Sequence, residues 1–71
     1  MKKNMKRFVE RMIRERDELK GKIERAECAI GVRPYGMDEE DANYLNTQVG
    51  YMRQYLDVLE RRITKAEGKN A

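Results

Sequence analysis

The feature that most constrains this chain is an unbroken apolar row in its second half. Apolar residues recur there at alternating steps of three and four, at Ala42, Leu45, Val49, Met52, Leu56, Leu59, Ile63 and Ala66. Steps of this size return to one side of an α-helix at every turn. The row, called the seam below, therefore predicts a long helix that packs against another helix.

A second row runs beside the seam on the adjoining face of the same helix. Its members, which keep the same alternating spacing, are Tyr44, Gln48, Tyr51, Tyr55, Val58 and Arg62. A single neighbouring helix covers only one face, so this tyrosine row leaves a surface to be covered by further chains. The sequence therefore predicts an assembly of several copies.

The first half of the chain carries the same helical spacing. Its apolar positions are Met5, Val9, Met12, Leu19, Ile23, Ala26 and Ile30, with Phe8 and Ile13 widening the stripe. They predict a helix over about residues 4–30. Arg16 interrupts the spacing, so its guanidinium must either extend outward over its aliphatic stem or meet a carboxylate or a ligand anion. We expect Cys28 to be a small, half-buried filler.

A short loop over residues 31–37 separates the two predicted helices. Gly31 is expected to be the left-handed C-cap of the first helix, and Pro34 prevents that helix from continuing. Asp38 is expected to be the N-cap of the second helix, which should cover about residues 38–67. Because the loop is short, the two helices must run antiparallel.

The fold class predicted is all-α, with one helical-hairpin domain over residues 1–71. A core in a chain of this size supplies only ~3–5 kcal/mol, and small domains often add disulfides, a metal or further copies. Cys28 has no second cysteine to pair with, and the chain has no histidine for a Cys/His zinc set. We therefore expect the antiparallel two-helix hairpin to assemble into an oligomeric helical bundle, as a dimer or a tetramer.

Charge is unevenly distributed along the chain. Residues 1–16 hold seven Lys/Arg against two Glu, a local charge of +5, whereas the other residues hold nine against eleven. This end either attracts a polyanion or is a solvated helix start. Nucleic acid is not the expected partner, because the net charge is only +3 and no DNA-binding motif is recognised. Without a membrane-length apolar run or a signal peptide, a cytoplasmic location is expected.

The residue types also argue against an enzyme. Without histidine there is no ordinary triad base, and Cys28 has no activating partner in sequence. The acidic run over residues 38–41 is expected to be a capping turn, because successive residues at a helix start point in different directions. We expect no catalytic residue, no metal site and no cofactor.

Two groups of residues are candidates for ligand binding. In the loop, Arg33 and Tyr35 could grip a phosphate and stack on a base. Alternatively, Tyr35 plugs the open end of the bundle while Arg33 satisfies the last carbonyls of the first helix. The second group is formed by the polar and aromatic members of the tyrosine row, which are suited either to sandwiching bases beside phosphates or to ordinary packing between helices: Tyr44, Gln48, Tyr51, Tyr55 and Arg62.

The chain resembles small phage-encoded helical-hairpin proteins related to one from crAss-like phages. The resemblance covers most of the chain and is carried by Glu18, Leu19, Lys22 and Ile23 in the first helix and by Leu45, Gln48, Met52, Tyr55, Leu56, Leu59, Arg62 and Ile63 in the second. Small phage proteins of this kind include oligomeric sponges that sequester nucleotide signals of bacterial immunity, such as those of CBASS and Thoeris systems.

The resemblance implies a binding protein without turnover. Its expected ligand is a cyclic oligonucleotide, such as a cyclic dinucleotide, or a related nucleotide second messenger. In this hypothesis Arg7, Arg11 and Arg33 contact phosphates, while Tyr35, Tyr44, Tyr51 or Tyr55 stack on bases. The alternative is a structural or protein-interaction hairpin that docks a host or virion protein.

Overall fold

The computed structural model describes the backbone of residues 2–69 and the side chains of residues 7–68. This part of the chain forms two α-helices, α1 (Lys2–Val32) and α2 (Glu39–Lys69). They pack along their length as an antiparallel hairpin with extents of 50 × 16 × 13 Å. The predicted all-helical hairpin is thus confirmed, whereas its assembly into an oligomer stays a prediction.

The seam of α2 and the apolar stripe of α1 together form the core between the helices. A cluster near the chain ends contains Val9, Met12, Leu59, Ile63 and Ala66, and a second cluster nearer the loop contains Leu19, Ile23 and Val49. Ile13 packs against the first cluster, and Ala26, Ile30, Met52 and Leu56 pack against the second. The alternating spacing therefore identifies the residues that hold the hairpin together.

Arg16 lies between Met12 and Leu19, at the position where the apolar stripe of α1 is interrupted. Its side chain is half-buried and its Nε lies 3.1 Å from Oδ1 of Asp17. The two alternatives predicted for Arg16 occur together: its aliphatic stem is partly covered, and its guanidinium contacts a carboxylate. Because Asp17 is largely exposed, the pair lies at the surface.

The first helix ends two residues later than expected. Arg33, with a φ of 57°, is the left-handed residue after the helix, and its N–H donates to the carbonyl of Ala29 at 2.8 Å. The prediction that Gly31 caps the helix is wrong, since Gly31 is still helical. Pro34 explains the end point, because helices usually stop at or before the residue that precedes a proline.

The start of α2 is capped as predicted. The Asp41 N–H donates to Oδ1 of Asp38 at 2.8 Å, and the Asp38 N–H donates to Oδ2 of Asp41 at 3.3 Å. This reciprocal pair satisfies backbone donors that have no partner within the helix. Together with Glu39 and Glu40, these carboxylates also place negative charge at the positive end of the helix dipole.

Two further observations concern the outside of the hairpin. Cys28 is exposed, so the expectation of a half-buried filler is wrong. Cys28 lies two positions from Ala26 and two from Ile30, and this spacing of about 200° turns its side chain to the opposite side of α1. In the described part of the chain, neither helix has a stretch that is long and apolar enough to cross a membrane.

Candidate ligand-binding surface

The tyrosine row lies on the outside of the hairpin. The exposed fractions of Tyr44, Tyr51 and Tyr55 are 68%, 69% and 47%. Gln48, Val58 and Arg62 are exposed as well, so every member of the row is accessible in one hairpin. The row is therefore not part of the core, although its spacing matches that of the seam.

The geometry of α2 sets the size of this surface. From Tyr44 to Arg62 the helix rises about 27 Å at ~1.5 Å per residue. Tyr51 and Tyr55 are four residues apart, so they are neighbours on the same face. The helix thus carries the three phenol rings along one line, and the guanidinium of Arg62 lies at the end of that line.

Phe8 of α1 joins this surface at its basic end. The guanidinium carbon of Arg62 lies 5.8 Å from the centre of the Phe8 ring, within the range of a cation–π contact. Phe8 is 48% exposed, so the pair sits at the edge of the hairpin rather than inside it. The sequence indicated Phe8 only as a widening of the core stripe, and its place beside Arg62 depends on how the two helices align.

The opposite edge of the hairpin is ionic. Lys20 Nζ lies 3.6 Å from Oε2 of Glu60, and Arg53 pairs with Glu27. At about 100° per residue, Arg53 and Glu60 lie across the seam from the tyrosine row. Charges on this edge are therefore paired between the helices, whereas the other edge carries the aromatic rings.

The predicted phosphate-binding residues fall at two distant ends. Arg7 and Arg11 are exposed near the first core cluster, at the end of the hairpin where Arg62 lies. Arg33 and Tyr35 are at the loop, and from Arg11 to Arg33 the helix rises about 33 Å. One nucleotide cannot contact both ends of a single hairpin.

The loop residues are also more open than expected. Tyr35 is fully exposed at 108%, so it does not plug the end of the hairpin within one chain. Arg33 does satisfy a carbonyl of α1, but it does so through its backbone N–H and not through the side chain. Their side chains are therefore available to a ligand or to another chain.

A comparison with protein families decides the class of this chain. The family model described as Sequestin matches residues 6–65, which is most of the sequence. The chain belongs to the Sequestin family. No curated protein and no solved structure matches it. The family name is consistent with a protein that sequesters a ligand, and it suggests binding rather than catalysis.

Elsewhere on this Sequestin chain the surface is less suited to a nucleotide. A shallow, open depression on α2 is lined by Asp57, Glu60, Arg61, Thr64 and Lys65. Its Arg61 Nε lies 3.1 Å from Oδ2 of Asp57, so one of its cations already faces a carboxylate. Within the described residues, no group of three His, Cys, Asp or Glu side chains could hold a metal ion.

Proposed function

We propose that this protein sequesters, without turnover, a cyclic oligonucleotide or a related nucleotide second messenger of bacterial anti-phage immunity. The observation that carries the proposal is the exposed row of Tyr44, Tyr51 and Tyr55, which ends in Arg62 beside Phe8. Membership of the Sequestin family and the resemblance to phage sponges support the same interpretation.

The chemistry of the row matches the two parts of a nucleotide. A phenol ring offers a flat apolar face on which a base can stack, and each stacked base contributes ~1–3 kcal/mol. An arginine offers a planar fork that binds two phosphate oxygens. Arg7 and Arg11 lie at the same end as Arg62 and add positive charge there. Gln48 supplies an amide that can hydrogen-bond to the edge of a base.

Sequestration requires only tight and abundant binding. A ligand of this size is held well when it is enclosed and when the binding groups are ordered beforehand. Rings carried on a helix have few rotatable bonds, so little conformational freedom is lost when a base stacks on them. An open row on one hairpin does not enclose a ligand, and we therefore place the site where copies of the chain meet.

Calorimetry against a panel of cyclic di- and trinucleotides tests the proposal. We expect at least one member to bind, and Tyr51→Ala to weaken that binding by about 5- to 150-fold, the equivalent of one lost stacking interaction. Asn46→Ala is the matched control, because Asn46 is exposed on α2 outside the tyrosine row. It should leave the affinity unchanged.

A panel in which no member binds at tens of micromolar would refute the nucleotide proposal. The competing function is then a hairpin that docks a host or virion protein. This competing function is supported by Phe8 and Val58, two purely apolar side chains that are about half exposed and could pack against another protein. That function predicts recovery of one defined protein by the wild type, with loss of this partner on Val58→Ala.

A further inference from the structure

We propose that a second copy of this chain docks on the tyrosine row, with the two α2 helices antiparallel and a twofold axis beside Tyr51. The interface is self-complementary, so each copy gives the same residues to its partner. The inference rests on charge and on exposed area, and it does not require a bound nucleotide.

The order of charges along α2 carries the argument. Glu40 lies one helical turn before Tyr44 on the side of the tyrosine row, whereas Arg62 closes the row at its other end. If Tyr51 of one copy faces Tyr51 of the other, an antiparallel helix places Glu40 opposite Arg62 at both ends. The same register places Tyr44 opposite Val58. Opposite charges thus meet at the ends, and apolar groups meet between them.

A parallel arrangement is disfavoured by the same residues. It would set Arg62 against Arg62 and Glu40 against Glu40, and like charges facing across an interface oppose association. The other edge of the hairpin is a poorer docking face, because its charges are engaged by the Lys20–Glu60 and Glu27–Arg53 pairs.

The size of the exposed surface also favours a partner. The chain exposes 5959 Å², whereas a compact monomer of its mass is expected to expose about 4,700 Å². Its radius of gyration is 16.0 Å, compared with ~11 Å for a compact domain of this length. The excess area is larger than the ~800 Å² that each partner buries in a standard interface.

This arrangement has a consequence for the proposed nucleotide site. An antiparallel copy brings its loop, with Arg33 and Tyr35, to the end of the hairpin where Arg7 and Arg11 of the first copy lie. The residues that are about 33 Å apart within one chain would then come to the same end of the dimer. This consequence alone rests on the proposed function, since the dimer is defined without a ligand.

Sedimentation equilibrium of the nucleotide-free protein tests the dimer. We expect the wild type to associate, and Glu40→Arg or Arg62→Glu to raise the dissociation constant by about tenfold or more, because each places like charges together. The double variant Glu40→Arg with Arg62→Glu restores the opposite charges and should recover association. Glu39→Arg is the matched control, because it makes the same change one residue away, outside the tyrosine row.

Circular dichroism of each variant shows whether the hairpin is still folded, so a loss of association is not confused with unfolding. A wild type that stays monomeric at hundreds of micromolar would overturn the proposal. So would a double variant that associates no better than the single ones, whatever the size of the wild-type assembly. Because no nucleotide is present, these outcomes are separate from the failure of nucleotide binding.

Discussion

Replacement of Leu59 by alanine tests whether the hairpin depends on its seam. Leu59 is completely buried, and it belongs to the core cluster that contains Val9, Met12, Ile63 and Ala66. A buried Leu→Ala change typically costs ~2.7–5 kcal/mol, because it removes apolar contacts and leaves a cavity. A single core in a chain this small supplies only ~3–5 kcal/mol. We therefore expect the variant to be largely unfolded at room temperature.

Urea denaturation followed by circular dichroism measures this cost, with Val58→Ala as the neighbouring control. Val58 is 53% exposed, so its truncation should cost less than ~0.5 kcal/mol in dilute protein. At about tenfold higher concentration the Val58→Ala cost should grow, since association stabilises the folded state by mass action and Val58 lies in the proposed interface. A Leu59→Ala cost below ~1 kcal/mol, or equal costs for the two variants in dilute protein, would refute the packing argument.

Three further predictions concern backbone positions, and urea denaturation in dilute protein measures each of them. Asp38→Ala should cost ~1 kcal/mol by removing the N-cap side chain, and a cost near zero would mean that the bond from the Asp41 N–H to Asp38 Oδ1 does not stabilise α2. Arg33→Gly should stabilise the hairpin by ~0.5–1 kcal/mol, since glycine adopts the observed φ of 57° without strain; destabilisation would contradict the assigned turn. Gly50→Ala should stabilise the hairpin by up to ~1 kcal/mol, because alanine favours the helix and the new methyl group meets no described atom within 4 Å apart from its immediate helical backbone; a loss of stability in dilute protein would contradict the open space around Gly50.

The parts of the fold that follow from spacing within one helix could be predicted from the sequence. The seam residues Val49, Leu59 and Ile63 are buried as their spacing indicates, because helical periodicity determines which side of the helix a residue occupies. The capping role of Asp38 was equally predictable, since it depends only on the first turn of α2. The exposure of Cys28 could have been derived in the same way from its distance to Ala26 and Ile30.

Features that depend on the alignment of α1 with α2 could not be predicted. The contact of Arg62 with Phe8 and the pairing of Arg53 with Glu27 each join residues that are far apart in sequence. Spacing within one helix says nothing about which turn of the other helix lies beside it. The end of α1 was also not predicted correctly, because Gly31 and Pro34 are both typical of a helix end. The helix continues past Gly31 and stops before Arg33, the residue that precedes the proline.

The sequence was sufficient to predict which residues of the candidate site share one helix face. It was not sufficient to predict where the loop residues lie relative to the basic residues. Tyr44, Tyr51 and Tyr55 share a face because of their spacing, and the described part of the hairpin leaves 47% to 69% of each side chain exposed. The loop pair of Arg33 and Tyr35 was grouped with Arg7 and Arg11 by chemistry alone. Their separation of about 33 Å follows from the length of α1, and the proposed antiparallel dimer would bring such groups to the same end.

Folding and the proposed binding use different faces of α2, and their free energies are nevertheless linked. The core cluster around Leu59 contains no member of the tyrosine row, so the row contributes little to the folding of a single hairpin. A partner that binds only the folded chain stabilises it by ~2.7 kcal/mol when present at about a hundred times its dissociation constant. That gain is similar to the ~3–5 kcal/mol available from a core of this size. If a partner covers Tyr51 as proposed, the fraction of folded chain therefore depends on that partner as much as on the core around Leu59.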